Sequence, residues 1–414
     1  DVVALENEKA SLEKIINGLS AILGSEAVLK SVMKKDLRDV KENYPCPRIT
    51  EIKAEITEIK IDTTAMIPKE DVVVLVTKDG YIKRTSFRSY TASNPEDITI
   101  KENDYIIGIY EMNTTDTLLV FTTAGNYLHI PVHIIPDLKW KDMPKHVSNI
   151  IEMSSEENIV SAIPAYSFEN EKNVVIASHD GMIKRSKLKD FKLLRYSRAT
   201  TWMKLKENDY VIASFLEEKP CLFLTTDTGY GLSFKMDEVP VVGVKASGVK
   251  AIKLKDDYLV SANQYNPQQD EFISIITDKG TGKRIRLSEF ELSTRTRRGL
   301  LVIREVKTNP YKVLKTFITD SKNYIGIKNN DINMIKLTEL PISDRHSTGS
   351  QITKHNIIDA FIEASLERNV KEQINLMETD NPKMEESKEE KPRKERISLK
   401  EIDDRLMTID DFLK

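Results

Sequence analysis

The feature that most constrains this chain is a unit of strand, glycine turn and second strand that recurs along its middle. It is first seen at Val72–Arg84, where an apolar run, Val72 to Val76, meets Lys78-Asp79-Gly80 and then Tyr81-Ile82-Lys83-Arg84. Further copies run over Leu118–Leu128, Val174–Arg185, Leu222–Tyr230 and Ile273–Arg284, and a decayed sixth over Tyr324–Ile335. Gly at the turn supplies the positive φ that tight hairpins need. Lys101–Tyr105, Lys206–Tyr210 and Lys255–Tyr258 each lead into another strand. Each unit then holds about four strands in roughly 45–55 residues, the size of a propeller blade. Six units close better into a ring than into a sandwich, because a ring leaves few free strand edges. The expected fold is mainly β: a six-bladed, propeller-like ring.

The flanks differ. Leu5, Leu12 and Leu19 recur every seven residues, with Ile15, Ile16, Ile22 and Leu23 on the same side. That is one apolar helical stripe. Gly24-Ser25 breaks it, with Ser25 a candidate N-cap, and a second amphipathic helix runs to the prolines at 45 and 47. Two readings stay open: a helical hairpin that packs locally, or half of a coiled coil whose partner lies elsewhere. Beyond Leu366 the chain is charged and poor in apolar residues, as in Lys383–Lys391, which predicts a disordered tail. Its end, Ile409–Leu413, reads as a docking motif or as a helix end of no consequence. The expected division is a helical arm at 1–50, a ring at 51–365 and a tail at 366–414.

No 18-residue apolar run and no signal segment are present, so neither a membrane span nor secretion is expected. Cys46 and Cys221 fit a reducing compartment. Neither they nor His129 and His133, which flank Pro131, form a metal-ligand pattern.

The net charge of −3 argues against a nucleic-acid binder only if charge is spread evenly. It is not. Lys83, Arg84 and Arg88 follow the first turn, and Lys184, Arg185, Lys187, Lys189, Lys192, Arg195 and Arg198 the third. Lys235 and Lys250 follow the fourth, and Lys283, Arg284, Arg286, Arg295, Arg297 and Arg298 the fifth. One charge run is usually a solvated face. Recurrence at one place in like units predicts a belt instead. A curved basic belt suits duplex DNA bound through its phosphates without sequence readout. Few aromatics interleave with the runs, which disfavours single-strand stacking.

The stretches Val76–Asn94 (VTKDGYIKRTSFRSYTASN) and Asp116–Ile151 resemble the first blades of the C-terminal region of bacterial type II topoisomerase A subunits, nearest topoisomerase IV of low-GC Gram-positive bacteria. Leu5–Tyr44 resembles the end of the coiled-coil arm of that family's breakage–reunion core. The resemblance implies a β-pinwheel, a ring with strands exchanged between blades, whose rim binds or wraps DNA. It implies an enzyme that relaxes and decatenates DNA at chromosome segregation, with an A-subunit homodimer, an ATP-hydrolysing B subunit, magnesium at the cleavage site and a cytoplasmic, chromosome-associated location. The catalytic tyrosine would lie upstream, so no cofactor is expected in this stretch, which starts at Asp1 like a fragment of a longer protein. Gyrase A subunits carry a Gln-Arg-Arg-Gly-Gly-Lys-Gly box in the first blade; here that place reads Ser93-Asn94-Pro95-Glu96. A partial echo stands at Arg295–Gly299. The departure favours topoisomerase IV over a gyrase-type wrapping domain. A ring that serves only as a protein-interaction scaffold is the reading from another class.

Overall fold

A computed structural model describes residues 1–46 and 67–368. Contacts divide the chain into two compact units, 1–62 and 63–414. In the first, helices Val2–Gly24 and Glu26–Asn43 meet at an angle of 108°. Ser25 is the extended residue between them and makes no side-chain capping bond. Leu5, Leu12, Ile15, Ile16 and Leu19 are all exposed. Among the described residues these stripe positions are left bare, while Ile22 is half-buried. Among the described residues no single helix is long and apolar enough to cross a membrane.

The second unit is the expected ring. Six hairpins form the centres of six sheets: 71–86, 117–131, 173–187, 221–235, 272–286 and 324–336. A third strand pairs with the first strand of each hairpin: Ile106–Asn113, Ile159–Ala165, Val211–Leu216, Leu259–Tyr265, Val313–Ile318 and Asp359–Ile362. These third strands touch one another from blade to blade and line the axis. Tyr110 donates to the Ala162 carbonyl at 2.8 Å, the Ser161 and Ser214 hydroxyls lie 2.5 Å apart, and the Thr316 amide reaches Ser261 at 2.9 Å.

The outermost strand of five sheets is borrowed. After the second to sixth hairpins the chain runs along the rim as a crossing loop, then adds two residues to the blade before. Lys145–His146, which follow the second hairpin, pair with Tyr81-Ile82 of the first; Leu300–Leu301, which follow the fifth, pair with Tyr230-Gly231 of the fourth. Gly299 makes that approach possible: it sits at φ 85°, and a Cβ there would collide with the Gly231 carbonyl. Five blades receive such a strand. Among the described residues the sixth does not, and the loop after the first hairpin folds back on its own blade. There Trp140 donates to the Pro95 carbonyl at 3.3 Å, within the segment that stands in place of the gyrase box. The ring is joined instead by Leu366–Glu367, which pair with Ile109–Tyr110, and by Tyr105 stacked 3.7 Å from Phe361. The ring thus extends to Glu367, two residues past the expected boundary. Residues 47–66 and 369–414, including most of the expected tail, lie outside the described residues.

Blade stacking explains the unbroken apolar runs. Val72 to Val76 are all buried because both faces of the strand are covered. Val72, Val74 and Val76 pack on Leu118 and Val120 of the second blade. Leu119 and Phe121 turn the other way, onto Val174 and Ile176 of the third. Val175 and Ala177 meet Leu222 and Leu224, and Phe223 meets Ile273 and Ile275. Alternation survives, but it divides residues between two interfaces rather than between core and water.

His129 lies in such an interface, between the rings of Phe168 and Tyr196 at 5.7 Å each. Neither ring nitrogen has a hydrogen-bond partner. Burial pulls its pKa down to about 4, with Lys192 adding to the effect. The unfolded chain therefore binds a proton between pH 6.5 and 4 that the folded chain refuses, and stability falls as pH drops through that window. The expected outcome for His129→Phe is a smaller loss of unfolding free energy between pH 6.5 and 4, by up to about 3 kcal/mol, in urea titrations at each pH. An unchanged pH profile would show that the ring is solvated.

Candidate nucleic-acid interface

The cations of the hairpins divide into two populations. Lys83, Lys184 and Lys283 are fully buried. Each sits at the same position of an odd-numbered blade and points into carbonyl oxygens. Lys83 donates to Trp140 at 2.5 Å and Asp142 at 2.7 Å, Lys184 to Trp202, Gly243 and Val244 at 2.5–3.1 Å, and Lys283 to Asp344 and Ser347 at 2.8–2.9 Å. Burial lowers all three to about 8. Carbonyl dipoles around an ammonium favour its charged form and oppose that shift. The second and fourth blades carry Leu128 and Leu232 at this position.

The neighbouring arginines hold the same loops through their backbone amides, and two of them through their side chains. The amides of Arg84, Arg185 and Arg284 bond the carbonyls of Pro136, Pro240 and Pro341 at 2.8–3.2 Å. Arg185 and Arg284 are buried, and their Nε atoms donate to Val239 at 2.7 Å and Leu340 at 2.9 Å. Arg185 also pairs with Glu217 at 2.8 Å, and half-buried Arg84 lies 4.0 Å from Asp137. Apart from Trp202 and Glu217, every one of those partners follows an even hairpin. The Lys-Arg pair of each odd blade therefore grips the crossing loop of the blade after it, and the ring is built of three two-blade units.

This corrects the expectation that Lys83, Arg84, Lys184, Arg185, Lys283 and Arg284 face phosphate. Charge recurs there because a loop must be held, and a buried ammonium in a carbonyl cage cannot reach a ligand outside. Two more are tied down. Arg298 pairs at 2.7 Å with buried Asp257 and lies over the Tyr230 ring, and half-buried Arg295 donates to the Lys250 carbonyl at 2.6 Å. Arg286 is exposed but paired with Asp270 at 2.8 Å.

The second population is exposed and makes no ion pair or side-chain hydrogen bond among the described residues. It comprises Arg88, Lys187, Lys189, Lys192, Arg195, Arg198, Lys235, Lys250 and Arg297. Apart from Arg88, all lie on the crossing loops and outer strands of the third, fourth and fifth blades. Because the borrowed strand is the outermost of each sheet, these loops form the rim. Lys187, Lys235 and Arg286 close the second hairpin strands at one register, just before a 3-10 turn in each blade. Lys336 holds that place in the sixth blade, and the reading of the sequence missed it because that copy lacks the glycine turn. Of the cations expected to contact DNA, the exposed ones thus fall on the third, fourth and fifth blades, with Arg88 on the first.

The family model of the DNA gyrase C-terminal domain, a β-propeller, matches residues 71–95, 116–165, 172–216, 222–266 and 271–320. The chain belongs to that family. It is 40% identical over 353 residues to the DNA topoisomerase 4 A chain of Bacillus subtilis and 35% identical over 371 residues to its counterpart in Staphylococcus aureus. Those alignments cover 84% and 87% of this chain but 44% and 46% of the relatives, so the chain spans less than half their length. A crystal structure of the C-terminal domain of DNA topoisomerase IV superposes with a TM-score of 0.69 at 41% identity, covering 72% of this chain and 94% of that one. A DNA gyrase A C-terminal domain shares the fold at a TM-score of 0.54 and 19% identity, over 71% of this chain and all of that one.

Lys184→Met keeps most of the side-chain volume and leaves three loop carbonyls unpaired. The expected loss is about 3 kcal/mol of unfolding free energy in urea, with Lys189→Met, on the exposed side of the same blade, within about 0.5 kcal/mol of wild type. Equal effects of the two would contradict the division into buried and exposed cations.

Proposed function

We propose that this domain binds duplex DNA along the arc of the third to fifth blades and bends it, as the C-terminal part of a topoisomerase IV A subunit. What supports this reading is that Lys187, Lys189, Lys192, Arg195, Arg198, Lys235, Lys250 and Arg297 are exposed and make no ion pair or side-chain hydrogen bond among the described residues. Phosphates meet such cations without base contacts, and released counterions supply the free energy. Bending 20–30 base pairs by 40–90° costs on the order of 1–6 kcal/mol, which several neutralised phosphates offset at low salt. The place of the gyrase box reads Ser93-Asn94-Pro95-Glu96 here. That departure supports a bender that presents DNA for passage over a gyrase-type wrapper.

In the complete enzyme this region would deliver a DNA segment to the cleavage core of an A-subunit dimer. An ATPase B subunit would drive relaxation and decatenation in the cytoplasm, on the chromosome. No His, Cys, Asp and Glu cluster among the described residues is arranged to hold a metal ion. Magnesium and ATP are proposed for the complete enzyme.

Fluorescence anisotropy with a 30-base-pair duplex tests the reading. Log affinity should fall linearly with log salt, by about 0.9 per phosphate neutralised. The triple variant Lys187→Glu, Lys192→Glu, Arg198→Glu should flatten that slope by about 2–3 and retain the wild-type melting temperature. A slope unchanged by the triple variant, or binding indifferent to salt, would overturn the proposal.

A further inference from the structure

The first five blades each end on a strand from the blade after, and those strands show what a blade edge accepts. Two places before the end of the second hairpin strand, the backbone faces outward. Arg84, Arg185 and Arg284 stand there, and their carbonyls accept from the amides of Leu138, Val242 and Ser343 at 2.8–3.0 Å. On the fourth blade the Ser233 carbonyl accepts from Ser293 at 2.9 Å. Met334 holds the same place in the sixth blade, two residues before Lys336. Among the described residues no strand pairs with that edge, and Met334 and Tyr324 of the adjoining strand are exposed. An outward amide and carbonyl on a sheet edge are a template for one more strand.

The alternation of blades says which strand fits. The second and fourth blades are filled by Thr200–Thr201 and Leu300–Leu301. Those strands share a two-arginine pattern that the odd-blade strands lack. Arg195-Tyr196-Ser197-Arg198-Ala199 precedes the one and Arg295-Thr296-Arg297-Arg298-Gly299 the other; Trp202-Met203-Lys204 and Val302-Ile303-Arg304 follow. On the fourth blade the Arg295 amide donates to Glu238 at 2.8 Å, and the Val302 amide to the Gly229 carbonyl at 2.8 Å. The sixth blade repeats this receiving side. Its 3-10 turn Leu337–Glu339 follows the second strand as Met236–Glu238 does, which sets Glu339 at the place of Glu238. Glu339 and Asp331 are exposed. Lys336 does not oppose a basic strand, since Lys235 holds its place on the filled fourth blade. The loop after the first hairpin lacks the pattern and is held on its own blade at Pro95. We infer that the outer edge of the sixth blade docks an extended segment of a partner protein with the pattern Arg-x-x-Arg-small-x-x-apolar-apolar-basic. It adds antiparallel to the start of Ile332–Lys336, as Leu300–Leu301 adds to the start of Tyr230–Lys235. The inference is independent of whether the rim binds DNA.

A fluorescein-labelled peptide copying residues 291–304 of this chain is the probe, titrated against the full chain by anisotropy without DNA. Saturable binding is expected, at least about ten-fold tighter than that of the same peptide with Arg295→Glu and Arg298→Glu. Met334→Pro removes the outward amide yet leaves the ladder to Tyr324–Lys328, because proline is tolerated on an edge strand. It should weaken the peptide at least about ten-fold, and so should Glu339→Lys. Should the proline variant melt early, Glu339→Lys decides alone. Binding that never saturates, or that is equal in wild type and Glu339→Lys, overturns the inference. Hydrogen exchange of the Met334 amide in the free chain is the second readout, and fast exchange is expected. Slow exchange at every protein concentration would show the edge filled from within the chain, and slow exchange only in concentrated samples would assign it to a second copy; either result overturns the inference.

Discussion

A lysine ammonium held in carbonyl oxygens, repeated on alternate blades, is the interaction on which the ring depends. A crossing loop leaves its own hairpin and must pass along the rim before adding two residues to the preceding sheet. So short a borrowed strand makes few ladder bonds, and something else has to fix its approach. Lys83, Lys184 and Lys283 do so from inside the preceding blade. Arg84, Arg185 and Arg284 add a second grip beside a proline of the same loop. Charge-assisted bonds in a low-dielectric site are strong when every donor is used, and costly when a partner is lost. The ring is thus assembled from pairs of unlike blades, an odd one that grips and an even one that is gripped.

That division decides which cations are left for a ligand. Loops gripped from within carry their remaining lysines and arginines outward, over the third to fifth blades. The first blade contributes Arg88 alone among the expected contacts, and its loop folds back rather than crossing to the sixth. Among the described residues no strand pairs with the outer edge of the sixth blade at Ile332–Lys336. Strand exchange among the described residues thus adds an outer strand to the first five blades, and the ring is completed by Leu366–Glu367.

Much of this was legible in the sequence. Six hairpins, their glycine turns and the long apolar runs follow from residue pattern, and so does the arm with its bare stripe. The cations were legible as a periodic set but not as two sets. Lys-Arg recurs only in copies one, three and five, and the loops after copies two, four and six each carry an Ile-, Val- or Leu-Pro pair at 135–136, 239–240 and 340–341. That alternation is visible in the chain, and it separates grip from surface once blades are compared in pairs. Arg298 was beyond such reading, since its partner Asp257 lies in another loop and only folding brings them within 2.7 Å. Exposure of Lys187 could not be told from burial of nearby Lys184, because strand position and not composition sets it.

Lysine reactivity measured residue by residue tests this account most directly. The full chain is treated briefly with an acetylating reagent, with and without a 30-base-pair duplex, and each lysine is quantified by mass spectrometry. The account predicts that Lys83, Lys184 and Lys283 stay unmodified in both conditions, while Lys187, Lys189, Lys192, Lys235 and Lys250 react freely and are shielded by the duplex. Rapid modification of the first three, or no shielding of the other five, would contradict it.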